Sequence, residues 1–387
     1  MDADPEAPCI VWFGREREAL QVATSAVGLG IDLTETDESR VVASLGALKR
    51  LLPLLEELAP DSAAALRRFL EPVPVWRLRT RSIPLDQAIV MGILNLTDDS
   101  FSGDGVGRDL SNALARASAL REAGATIIDV GAESARADRP VLEGEEEALL
   151  VGRCVSALAG EGHVVSSDTY KPTVARAALE SGAEIINDIS GLTLGLGAAE
   201  EARKAGAAYV LNYSYSVPKR RPDHPPRYED VVIETVRWME QRLSELAVSG
   251  LQTNSIAIDP GIAFGKSHEE DIQILRRIGE LRTFGQPILL AHSRKNFIGS
   301  INGQPPADRD IESHVASSLA FAQGVRIFRV HDPAGARRAL EIAAAVTSNH
   351  HGEFSPDETS WPWRAGANAA HMTKSEPDKA APAGQRW

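Results

Sequence analysis

AIVMGILNLTDDSFSGDG (residues 88–105) is an apolar run that breaks at its C-terminal end into Asn, Thr, Asp, Ser and Gly. The same habit recurs in TIIDVGAE (126–133), HVVSSDT (163–169), IINDISG (185–191), YVLNYS (209–214), SIAIDPG (255–261), PILLAHS (287–293) and RIFRVHD (326–332). Helix-like stretches such as DLSNALARASALREAG, KPTVARAALESG and YEDVVIETVRWMEQRLSELAVSG separate these runs. Strand and helix therefore alternate eight times within residues 86–348. Parallel strands need long crossovers, and eight such units in a segment of this size match a (β/α)8 (TIM) barrel, whose strand ends deliver side chains to one rim. A doubly wound open sheet is the main rival, and it is disfavoured because no strand leads into a Gly-x-Gly-x-x-Gly turn.

Outward from the barrel, residues 1–85 open on CIVWFG and continue through SLGALKRLLPLLEELA. They read as a small α/β appendage devoted to packing or association. DSAAALRRFLEP (61–72) has the look of an N-capped amphipathic helix stopped near a proline. From 349 to 387 Pro, Gly, Ala and charge dominate and apolar periodicity vanishes, so a disordered tail is expected there. His350 and His351 lie at its edge and read as solvated side chains, not metal ligands.

The chain of 387 residues carries 41 basic against 54 acidic side chains, a net charge of −13. With no basic cluster beyond Lys219, Arg220 and Arg221, nucleic acid is not an expected partner. Two cysteines cannot form a disulfide framework, and no apolar stretch approaches the ~20 residues that span a bilayer. With no signal-peptide layout at the N-terminus, the expectation is a cytoplasmic protein without membrane contact.

The strand ends fall into two chemistries. Asp168, Asn187 and Asp259 offer carboxylate and amide groups able to pair with the edge of a heterocycle such as a 2-amino-4-oxo ring. Arg136, Lys295, Arg329 and His331 are cationic or potentially so, and suit a phosphate or pyrophosphate. Asn95 could give Mg²⁺ a hard oxygen ligand, since that ion takes few ligands from protein. Thr97 stands beside it on the first strand, and Asp129, Asp188 and Tyr213 also stand at strand ends. Neither a nucleophile elbow nor a His-x-His pair is present, so covalent catalysis and a zinc-activated water lack support. What remains is displacement of a phosphorylated leaving group from a bound heterocycle.

MGILNLTDDSFSGDG, IIDVGAESARADRP, SSDTYKPTVARAALESGAEIINDISG, IAIDPGIAFGK, SRKNFIG and RVHD resemble, in this order, the motifs of the dihydropteroate synthase family. The resemblance covers residues 88 to about 345. It implies condensation of 6-hydroxymethyl-7,8-dihydropterin pyrophosphate with p-aminobenzoate to give dihydropteroate and pyrophosphate. It assigns Asp168, Asn187, Asp259 and Lys295 to the pterin, and Arg329 to the pterin plane and the phosphate. His331 and Asn95 would serve the pyrophosphate and its Mg²⁺, Thr97 the substrate, and Phe264 and Ser293 the p-aminobenzoate pocket. A barrel homodimer is also implied.

Departures from the family pattern gather in the loops. Asp98 stands for a proline, Ala132 for a glycine, Ala135 for a threonine and Ala137 for a proline, while Arg136 stays. NYSYSVPKRRPDHPPRY (212–228) replaces a His-Met-x-Gly stretch, and Ile262-Ala263 stands where Phe-Gly is usual. Two alternatives follow: a synthase joining the pterin to a different arylamine, or a pterin-binding paralogue without turnover. Retention of the basic quartet argues against the second, and SRKNFIG with RVHD argues against pterin-dependent methyltransferases, which share the barrel.

Overall fold

The computed structural model describes residues 8–13, 16–29, 32–33, 39–97, 105, 107, 109–133, 142–216, 218 and 226–347. Arg136 and the expected tail at 349–387 lie outside them.

The appendage is built on an antiparallel sheet of β1 (Pro8–Phe13), β2 (Asp32–Leu33) and β3 (Ser39–Ser44), in the order β1-β3-β2. Period-two alternation decides its faces. Val11 and Phe13 join Leu20, Val41, Leu48, Leu55, Leu66 and Phe69 in a core of its own, whereas Trp12 between them packs into the barrel's hydrophobic cluster. Helix Leu45–Leu58 starts at Ser44, whose hydroxyl accepts from the Ala47 amide at 3.3 Å. The next helix corrects the sequence reading. It runs Pro60–Leu70 with Asp61 in its first turn, and the side chain that meets its start is Glu16, which accepts from the Ser62 amide at 2.8 Å. Proline at the first helical position has no N–H to satisfy and begins the helix itself, so Asp61 falls inside the first turn and not at the cap.

A hairpin of β4 (Val75–Arg77) and β5 (Ser82–Pro84) follows. Trp76, Leu78, Ile83 and Leu85 from this hairpin share a cluster with Ile89, Met91, Ile127, Ile185, Ala208, Ala257, Leu289 and Ile327. Those barrel residues begin their strands, so the hairpin plugs the N-terminal end of the barrel. The Trp76 indole, fully buried, donates to Ser255 O at 3.0 Å.

Eight parallel strands make the barrel: β6 (Ile89–Asn95), β7 (Ile127–Gly131), β8 (Val165–Asp168), β9 (Ile185–Asp188), β10 (Ala208–Asn212), β11 (Ile256–Asp259), β12 (Leu289–Leu290) and β13 (Ile327–Val330). Their order is β11-β10-β9-β8-β7-β6-β13-β12, and a parallel bridge between Ile258 and Ile288 closes the ring. This is the (β/α)8 barrel expected from the repeated strand ends. Alternate residues serve two cores. Ile128, Val130, Ile186, Leu211, Ile258 and Phe328 pack outward under the helices, while Ile127, Ile185, Val210, Ala257 and Ile327 fill the interior. The helical pattern of HEEDIQILRRIGELRTFG (268–285) breaks in the structure into a helix His268–Arg276 and a 3₁₀ segment Ile278–Phe284. That segment bonds to the appendage: the Trp12 indole donates to Glu280 at 2.7 Å, and the Thr283 hydroxyl donates to Trp12 O at 3.0 Å.

Candidate active site

The inward parity of each strand continues to its C-terminal end, and there the apolar filling gives way to polar groups. Pairing sets Asn95 beside Gly131, Gly131 beside Asp168, and Asp168 beside Asn187. A Cβ at Gly131 would lie 3.4 Å from Asp168 Cβ and 3.7 Å from Asn95 Oδ1, ordinary contact distances that show how closely the row is packed. Asp188, one residue past Asn187, has the opposite parity. It accepts from the Tyr209 hydroxyl at 2.5 Å and the Ser190 amide at 2.7 Å, and serves the scaffold.

Arg329 reaches across the barrel mouth from β13. Its Nε donates to Asp129 Oδ2 at 2.6 Å and its Nη2 to Asp168 Oδ2 at 2.7 Å. Asn187 Nδ2 donates to the same Asp129 oxygen at 3.1 Å. Among the described residues the second Asp129 oxygen is buried with no hydrogen-bond partner, as is Thr97 Oγ1. Burial alone would lower the Arg329 pKa, but the charges of Asp129 and Asp168 outweigh it and hold the guanidinium above its ordinary value. Burial pushes the Asp168 carboxyl up, against the pull of Arg329.

A second group forms around β11. Asp259 Oδ1 accepts from the Gly261 amide at 2.8 Å. Gly261 sits at φ +66°, and a Cβ there would lie 2.1 Å from Tyr213 O, so only glycine lets the two loops meet. Burial raises the Asp259 carboxyl, opposed by the charge of Lys295. Lys295 donates to Ile262 O at 2.7 Å, and its ammonium lies 5.0 Å from the Phe264 ring centre. Burial lowers its pKa to about 8, opposed by Asp259 and Asp271. Lys266 donates to Pro260 O at 2.9 Å and Gly261 O at 3.1 Å, with its ammonium 3.5 Å from the Tyr213 ring centre. Ala263, at φ +68°, is held by its amide's bond to Asp271 Oδ1 at 2.8 Å. Just past the ends of β12 and β13, Ser293 Oγ lies 2.9 Å from His331 Nδ1.

The structure therefore gathers Asn95, Thr97, Asp168, Asn187, Asp259, Phe264, Ser293, Lys295, Arg329 and His331 at one end of the barrel, on or beside its strand ends. Asp129, Lys266 and Asp271 belong with them, although the sequence reading gave them no role. For Asp129 the signal was there: it is the lone charge inside IIDVG, at an inward position. Among the described residues, no three His, Cys, Asp or Glu side chains cluster to hold a metal by themselves. Asn95 is half-buried at the rim with no side-chain hydrogen bond among the described residues, which suits a Mg²⁺ that draws most of its oxygens from a phosphorylated ligand. The mouth can hold a flat amino-substituted ring against its carboxylates and receive an anion beside its cations.

Comparison with known proteins agrees with this geometry. A family model described as pterin binding enzyme matches residues 91–331. A dihydropteroate synthase of Neisseria meningitidis serogroup C is 37% identical over 280 residues, covering 71% of this chain and 98% of its own length. The Yersinia pestis dihydropteroate synthase with a sulfonamide drug complex superimposes with TM-score 0.67 at 35% identity, covering 70% of this chain and 98% of that one. A Thermus thermophilus dihydropteroate synthase in complex with 4-aminobenzoate gives TM-score 0.63 at 34% identity, covering 70% and 99%.

Proposed function

This chain belongs to the dihydropteroate synthase family of pterin-binding enzymes, and from that premise we propose how its rim residues share the work. The enzyme is a transferase that joins 6-hydroxymethyl-7,8-dihydropterin pyrophosphate to p-aminobenzoate, yielding 7,8-dihydropteroate and pyrophosphate.

In this reading Asp168, Asn187, Asp259 and Lys295 hold the pterin by its donor and acceptor edge, and the Asp129 oxygen and Thr97 hydroxyl that lack partners among the described residues face the bound substrate. Arg329, fixed by two carboxylates, lies along the ring and toward the pyrophosphate. His331, Arg329 and Arg136 offset the charge that grows on pyrophosphate as the pterin C–O bond breaks. Phe264 and Ser293 line the arylamine side, where the amine nitrogen forms the new C–N bond and sheds one proton. Mg²⁺, when bound through Asn95, would add positive charge against the leaving group. The observation that carries this reading is the Arg329 clamp, which sets a cation and two carboxylates side by side in one buried mouth.

The assembly and location follow the same premise. Ile311 (76% exposed), Val315 (56%) and Leu319 (64%) recur every fourth residue on helix Asp310–Ala322, beside exposed Ile342 and Val346 on helix Pro333–Thr347. Such a face suits a second copy of the chain, and we assign it to a homodimer. No described helix is long and apolar enough to cross a membrane. Neither cysteine is in a disulfide, which supports a cytoplasmic setting.

The test is to incubate the full chain with pterin pyrophosphate, p-aminobenzoate and Mg²⁺ and to identify the product by mass. Dihydropteroate is expected; pterin binding without a condensed product would overturn the reading.

A further inference from the structure

We propose that the N-terminal appendage positions the arylamine-side wall of the active site, acting through Trp12, Glu280, Arg277 and Asp230. The appendage precedes residues 91–331, the part that matches the family model, so nothing in the family assignment gives it a task. The proposal rests on the functional reading above for the identity of that wall.

The connection is continuous in hydrogen bonds. Trp12 Nε1 donates to Glu280 Oε2 at 2.7 Å in a buried contact. Arg277 grips the same carboxylate, with Nε at 2.6 Å from Oε1 and Nη2 at 3.0 Å from Oε2. Its remaining arm, Nη1, donates to Asp230 Oδ2 at 2.5 Å. Asp230 in turn caps helix Val231–Ser249, accepting from the Val232 amide at 2.8 Å and the Ile233 amide at 3.1 Å. One carboxylate thus serves the helix start and the guanidinium together. A shift of Glu280 reaches the cap through a single rigid, planar side chain.

The helix so fixed carries Trp238, whose ring lies 4.8 Å from the Tyr213 ring. Tyr213 follows β10 and is held from two further sides, by the Tyr228 hydroxyl at 2.8 Å and the Lys266 ammonium at 3.5 Å from its ring centre. Lys266 secures the turn after Asp259 through Pro260 O and Gly261 O. Phe264 stands in that turn. The appendage therefore bears on the turn beside the arylamine pocket. Among the described residues the bonds that start at Trp12 do not run to Asp168 and Asn187 on β8 and β9; the hairpin's own bonds to that side, from the Thr80 amide at 2.8 Å and Arg81 Nε at 3.0 Å to Glu184, meet β9 at its opposite end. Trp12, Glu280, Arg277 and Asp230 are positioning residues: each bonds to another of the four or to a helix start.

The test compares Trp12→Phe, which keeps the ring and removes the donor, with Glu280→Gln, which keeps the shape and removes the charge. Each variant is examined as the full chain. We expect the KM for p-aminobenzoate to rise about three- to ten-fold, ten-fold being about 1.4 kcal/mol, while the Kd for pterin pyrophosphate stays within about two-fold. Hydrogen exchange should speed up over peptides covering residues 259–266 and stay unchanged over β8 and β9. A uniform loss of thermal stability, with the wild-type KM and wild-type exchange at 259–266, would overturn the proposal. So would equal losses for both substrates. The exchange result decides the coupling even if the wild-type chain makes no dihydropteroate, an outcome that would count against the activity alone.

Discussion

Asp129→Ala removes the carboxylate that the Arg329 and Asn187 bonds share, at 2.6 Å and 3.1 Å. Breaking a buried ion pair by removing one partner costs about 3–5 kcal/mol. Here the lower end applies, because Arg329 keeps Asp168 and its charge is not stranded. Asn187 loses that acceptor, which adds about 1 kcal/mol. At about 2–4 °C per kcal/mol for a barrel of this size, the melting temperature should fall by roughly 8–16 °C. Binding should suffer too, since the guanidinium is left with one anchor where it had two: a loss of about ten-fold or more in affinity for the pterin is expected, equal to at least ~1.4 kcal/mol. Asp129→Asn keeps an oxygen for Arg329 and should lose less of both. Scanning calorimetry and titration calorimetry with 6-hydroxymethyl-7,8-dihydropterin measure the two effects. A melting temperature within about 2 °C of wild type, with unchanged pterin affinity, would refute the placement of Asp129 at the centre of the clamp.

Lys295, its pKa lowered to about 8 by burial, is cationic below that pH and neutral above it, so pterin pyrophosphate binding should weaken as pH rises from 7 to 9. Lys295→Arg, always charged, should flatten that profile, and an unchanged inflection would assign it to another group. Lys295→Ala should weaken pterin binding by roughly 30- to 1000-fold, the effect of losing a buried partner worth ~2–4 kcal/mol. Arg136→Ala should spare the bare pterin and weaken its pyrophosphate, and equal losses for both ligands would show another role. Leu319→Asp, on the exposed helix face, should shift sedimentation toward a monomer; a wild-type profile would put the dimer contact elsewhere.

The barrel was legible because eight apolar runs, each ending in polar residues, alternate with helix-like stretches, and the structure adds the parity of each strand. IIND places Asn187 inward and Asp188 outward, and the burial partners of both follow from that alternation. The chemistry of single strand ends was legible for the same reason. Pairings between strands were not. Arg329 and Asp129 stand 200 residues apart, and nothing local tells the guanidinium which carboxylates it will meet. A sorting of Arg329 with the phosphate-binding cations misses that two acids already hold it. The hairpin plug escaped notice because its strands are three residues each, with one buried side chain apiece, too short for a period to register. The break at Arg277 was hidden in a helical pattern that continues through it. The segment beyond takes 3₁₀ form where Trp12 and Thr283 join it to the appendage, a tertiary contact no local propensity records. At Asp61 the preference of aspartate for a cap misled, because Pro60 had already begun the helix.

The central claim is that this mouth breaks a pterin–pyrophosphate bond for capture by p-aminobenzoate. The most direct measurement is pyrophosphate release from 6-hydroxymethyl-7,8-dihydropterin pyrophosphate with Mg²⁺, run with and without p-aminobenzoate. Release that depends on p-aminobenzoate and matches dihydropteroate formed mole for mole is expected. Tight binding of the pterin pyrophosphate with no release under either condition would contradict it.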